Sequence, residues 1–165
     1  MRVYHAVMYL DGLSFLEEER EAWRPYEALA ELTDTQLSEP VEGAHGWSGR
    51  DLIAHMVAWQ EAALAMAKEL AVGETSPTKD RVDAEWNAGS EEMNARMQAT
   101  WASLPLEEVR RRLRETPGEL RGYLTVVPET RWIKNPKNLG EFVSETIDHY
   151  EDHRSDLEAI LGSAR

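Results

Sequence analysis

The chain has 165 residues, 31 of them acidic against 18 basic, for a formal net charge of −13, and it contains no cysteine. That length suits one domain with its own core, and an apolar share of 42% is that of a globular chain. Disulfides, thiolate ligands and a cysteine nucleophile are excluded, and so acidic a surface repels nucleic acid and anionic membranes. The expectation is a cytoplasmic protein with a small-molecule substrate, since no apolar run approaches the ~20 residues of a membrane span.

Residues 1–13 read as an N-terminal extension. Val3, Tyr4, Val7, Met8 and Leu10 give it an apolar stretch, but Asp11 and Gly12 follow in place of a small-residue cleavage site. It therefore reads as a segment packed on the body, and its His5 has no partner at ligand spacing. Ser14 with Glu17 forms a capping-box pattern, opening a helix to about Leu32 that Pro25 should kink near Arg24. A loop with Pro40, Gly43 and Gly46 follows. The second helix opens at Ser48, with Asp51 at its third position, and ends at Gly73. Its stripe of Leu52, Met56, Trp59, Ala63, Met66 and Leu70 keeps the 3.6-residue period.

A third helical region, from about Asp80 to Ser103, is weakened at Gly89. Pro105 separates it from a short basic helix around Leu106 to Arg114, whose arginines read as a solvated face. Residues 115–138, punctuated by Pro117, Gly118, Gly122, Pro128 and Pro136, read as an irregular insertion before the last helix. Asn138 with Glu141 opens that helix, which ends at Gly162. With no alternating strand pattern and no internal repeat, residues 1–165 form a single all-α domain, a helical bundle.

The last helix carries the chemistry. At about 100° per residue, Leu139, Phe142, Val143, Thr146, Tyr150, Leu157, Ile160 and Leu161 form one apolar arc, opposite Glu141, Ser144, Glu145, Asp148, Glu151, Asp152, Ser155 and Glu158. His153 lies inside the arc and His149 at its border, a turn apart on one face. His55 flanks the stripe of the second helix and also leans inward. Two imidazoles at i,i+4 with a third from a facing helix is an arrangement that can hold a metal. Hydrogen-bonded core histidines would give the same pattern, and periodicity leaves both readings open.

The run from Gly46 to His55, with Trp47, Ser48, Asp51, Leu52 and His55, resembles the W-S-x-x-D-L-x-x-H signature of the DinB/YfiT-like superfamily. The run His149 to Arg154 resembles its closing H-x-x-x-H helix, and Ala28 to Pro40 is similar to its first helix and L-T-D-x-Q-L turn. The resemblance spans most of residues 14–162. It implies a four-helix bundle with extra short helix and loop segments between the third and fourth helices, often a homodimer. It also implies one divalent metal, nickel or zinc, held by His55, His149 and His153.

Characterised branches of that superfamily are largely S-transferases using bacillithiol, mycothiol or glutathione, with related isomerase activity. The function implied is thus a metal-dependent transferase with a low-molecular-weight thiol as co-substrate. A metal-dependent hydrolase and a non-catalytic metal-binding or dimerising module are the alternatives. Three protein ligands leave coordination positions open, as catalytic sites require. Around them Glu145, Asp152 and Asp156 are candidates to orient imidazoles or else solvated surface acids, Trp59 is a candidate pocket wall or else a core aromatic, Trp132 is a candidate for a lid, and His45 either reaches the pocket mouth or is an exposed loop histidine.

Overall fold

A computed structural model describes residues 9–165; the expectations for residues 1–8, including His5, lie outside the described residues. The helices are α1 (Gly12–Trp23), α2 (Asp34–Ser38), α3 (Gly49–Val72), α4 (Pro77–Ala102), α5 (Leu106–Leu124), α6 (Pro136–Glu145), α7 (Ile147–Asp152) and α8 (Arg154–Ser163). Tight 3-10 segments at Arg24–Glu31, Glu42–Ala44 and Glu129–Arg131 join them, and the described residues contain no strand. The domain is all-helical, as the sequence pattern requires.

The central helix is α3. From Leu52 to Gln60 every residue is buried, because α4, α5, α6 and α8 all pack against it. Its start is fixed by a complete capping box: Ser48 accepts from the Asp51 N–H while the Asp51 side chain accepts from the Ser48 N–H. Gly49 allows the close approach that follows. A Cβ there would stand 2.9 Å from Leu37 Cδ2 and 3.5 Å from Ile160 Cγ2, so α2 and α8 both lie against this end of α3. Large aromatic side chains fill the core around it. Trp23, Tyr26 and Tyr150 pack at one end, and Phe15, Trp132 and Phe142 at the other.

Several boundaries differ from the sequence reading. The first helix is capped by Asp11, which accepts from the Ser14 N–H, so Ser14 lies in the first turn rather than at its cap. At Arg24 the α-helix gives way to the 3-10 segment that holds Pro25, the expected interruption. The region read as irregular from residue 115 is helical up to Leu124, and the short basic helix is the first half of α5. Pro117 is buried inside that helix, and packing of Val109, Leu113, Leu120 and Leu124 outweighs the missing backbone donor. Two of its arginines are tied to other elements rather than merely solvated: Arg112 bonds Glu61 as well as Glu108, and Arg110 bonds Asp34 with the Leu32 carbonyl.

The last helix departs most from expectation. It starts earlier, at the Asn135 cap, and breaks twice. Thr146 leaves helical geometry (φ −121, ψ −98), its hydroxyl donating to the Phe142 carbonyl, and His153 forms a second junction (φ −103, ψ 8). The expected arc stays buried on both sides of the Thr146 break, but α6 is enclosed on nearly every face, so Glu141 and Glu145, expected on the outer side, are buried as well.

Candidate metal centre

Three elements bring the histidines together. His55 sits in the second turn of α3, and His149 and His153 lie on and just after α7. One ring nitrogen from each lies within 4.8 Å of those of the other two. The Nε2 atoms of His55 and His149 face each other at 2.9 Å, and the three ring centroids are 4.7–4.9 Å apart.

Burial is the main cause holding the His55 imidazolium pKa down at about 4; the His153 charge acts in the same direction and Asp156 against it. His55 is therefore neutral at neutral pH, the form in which imidazole donates to a metal.

Asp156 decides how His153 is presented. Its carboxylate is buried and its Oδ2 lies 2.9 Å from His153 Nδ1. A carboxylate only accepts, so Nδ1 carries the proton and the Nε2 lone pair is left for a cation. The other oxygen, Oδ1, accepts from His45 Nδ1 at 3.0 Å. His45, in left-handed backbone geometry (φ 58), is an exposed brace behind the site rather than a group at its mouth.

The donor set fits a divalent ion. Tetrahedral zinc with ~2.0–2.1 Å Zn–N bonds spaces its ligand nitrogens at roughly 3.3 Å, close to what His55 and His149 already show. A hydrogen bond between them requires one Nε2 to carry the proton, whereas with both Nε2 atoms deprotonated the two lone pairs face each other and a cation meets both.

The histidines form one wall of a cavity of about 720 Å³. Trp47 stacks on His153 (5.7 Å between centroids, 13° between planes) and also touches the His55 ring. Trp59 lines the same cavity, 6.3 Å from the His149 ring and edge-on to Trp86. Asp152 lies at the rim, exposed, and Glu145 is buried one turn before His149.

Trp132 is not at the site, which corrects the expectation of a lid. It is 1% exposed, packs edge-on against Phe15 and Phe142 in the other half of the core, and donates its indole N–H to the Val127 carbonyl. Apolar surface of that size goes to the core when a partner cluster exists. Sequence reasoning missed the wall supplied by α4, namely Trp86, Asn94 and Gln98. Few α4 residues are buried, so its period gave no signal.

The profile of the family described as Mycothiol maleylpyruvate isomerase N-terminal domain matches residues 16–146 of the chain. The chain belongs to this family. The match covers well over half of the sequence, and the family is part of the DinB/YfiT-like all-helical superfamily. It includes His55 but stops before His149, so the last two members of the cluster rest on the structure of α7. No curated protein and no solved structure matches the chain. Among the described residues of this family member, no helix is long and apolar enough to cross a membrane.

Proposed function

We propose that His55, His149 and His153 hold one divalent metal ion, nickel or zinc, and that the domain transfers a low-molecular-weight thiol to an electrophilic small molecule. The observation that carries this reading is the convergence of three imidazoles on the wall of a 720 Å³ cavity, large enough for two small reactants. Family membership adds the thiol: mycothiol is named in the family's description.

Bound there, the ion would favour the thiolate over the thiol at neutral pH. The chain contributes the rest. Asp156 fixes the His153 tautomer, Trp47 packs over His153 and His55, and Trp59 with Trp86 walls off part of the site from water. In the transfer, a sulfur–carbon bond forms as the thiol proton leaves to solvent. The leaving group or adjacent double bond takes up the electron pair displaced from the carbon.

Two measurements test this. Elemental analysis of purified protein beside His153→Ala should find bound metal in the first and little in the second. The loaded protein should then consume thiol only when an electrophile is supplied. Ester hydrolysis without thiol would overturn the transferase reading in favour of a hydrolase. A variant that keeps its metal would overturn the ligand assignment.

A further inference from the structure

A second cavity, of about 340 Å³, lies between α5 and the end of α1 with its 3-10 extension. It shares no lining residue with the cavity of the three histidines. On α5 it is bordered by Leu113, Arg114, Pro117, Gly118 and Arg121, which fall on one face at helical spacing. Arg20, Trp23, Glu27 and Ala30 border it from the other side. Trp23, Leu113 and Pro117 are buried and form an apolar floor, while Arg20, Glu27, Arg114 and Gly118 are exposed around it.

The arginines set this cavity apart. Arg121 is already committed, its Nε donating at 2.6 Å to buried Glu19, which neutralises it. The guanidinium groups of Arg20 and Arg114 have no hydrogen-bond or ion-pair partner among the described residues. Every other described arginine before Arg165 is bonded to a carboxylate or a backbone carbonyl. In a chain with 31 acidic residues, the two exceptions line one cavity. The residues one turn away from Arg114 on α5 are Arg110, Arg111, Pro117 and Gly118, none of which can accept from it. Gly118 also keeps the face open, since a Cβ there would meet no atom within 4 Å.

Guanidinium is planar, permanently charged and weakly hydrated, and it meets a carboxylate through paired N–H donors. Arg20 and Arg114 against Glu27 leave one uncompensated positive charge, which fits a monoanion. The floor fits an apolar body attached to that anion, and the volume is at the lower end of small-molecule sites. We propose that this cavity binds a small organic monocarboxylate, Arg20 and Arg114 donating to the carboxylate and the apolar body lying toward Trp23, Leu113 and Pro117. The site is separate from the three histidines and does not depend on what they hold.

Sodium benzoate is the probe, titrated calorimetrically into the metal-loaded protein at low ionic strength, with benzamide as its uncharged counterpart. Benzoate should bind saturably, and benzamide at least about tenfold more weakly, the range for loss of a charge-assisted hydrogen bond. Arg20→Gln and Arg114→Gln should each weaken benzoate by about fivefold or more. Both side chains are exposed, so neither change touches the core. Lys137→Gln removes an exposed charge outside the cavity and should leave binding within about twofold. His153→Ala, a change in the other cavity, should leave it within the same range.

No saturable binding of benzoate up to about 10 mM, weaker than any useful small-molecule site, would overturn the proposal. So would benzamide binding as tightly as benzoate, or arginine variants that bind as the parent does. An equal loss in Lys137→Gln would overturn it in favour of diffuse attraction by surface charge. A loss confined to His153→Ala would place benzoate at the histidine cluster instead.

Discussion

At the scale of single residues, Asp156 controls the site without touching the place where a metal would sit. It accepts from both His153 and His45, and its carboxylate is buried at the start of α8. Replacing it with alanine removes the group that fixes the His153 tautomer, and we expect metal affinity to fall roughly 10–100-fold, the range for loss of such an orienting partner. His45→Ala should change affinity little, since the His45 side chain is 84% exposed and braces Asp156 from outside. Competition against a chelator reads both variants, and an Asp156→Ala protein with unaltered affinity would refute this role. The three histidines were legible in sequence because each lies on or beside an apolar stripe. Asp156 was legible only as one of several acids near His149, and nothing in the periodicity separates it from exposed Asp152.

At the scale of elements, α7 carries His149 and leads directly into His153 on six residues, too few to hold position without tertiary contacts. Tyr150 supplies the anchor. Its hydroxyl donates to buried Glu19 and accepts from Gln60, Arg121 completes the pairing of Glu19, and Tyr26 donates to the Tyr150 carbonyl. Tyr150→Phe should destabilise the fold by about 1–3 kcal/mol in chemical denaturation, since it leaves buried polar atoms short of a partner. A change within error would show that the network adds nothing.

The outer half of α5 offers the opposite case. Gly118 lies mid-helix, and a Cβ there meets no atom within 4 Å. Gly118→Ala should therefore raise stability by about 0.5–1 kcal/mol, seen as a higher midpoint in the same titration. Both features explain where sequence reading stopped. Proline and glycine at 117–122 are statistical helix breakers, yet the apolar stripe on the buried side of α5 decides the outcome. The break at Thr146 is set by packing of α6 and α7 against different neighbours, and no single residue type announces it.

At the scale of the whole molecule, the question is whether a metal builds the fold or only completes the site. The large buried side chains fall in clusters that share no member with the three histidines: Trp23, Tyr26 and Tyr150 at one end, Phe15, Trp132 and Phe142 at the other. A structural zinc site in a small domain stands in for a missing core, and here the core is present without it. Removing metal with a chelator should leave the far-ultraviolet circular dichroism of the protein nearly unchanged. The thermal midpoint should then rise with added metal by mass action alone, corresponding to about 2.7 kcal/mol when the free ion stands at about 100 times its Kd. His55→Ala should abolish that dependence while keeping the helical signal, because its loss removes a ligand and no part of either cluster. Loss of helicity on chelation would instead mean that α7, held at both ends by irregular junctions, needs the ion to form. The site would then be part of the fold rather than a cavity fitted into a finished one.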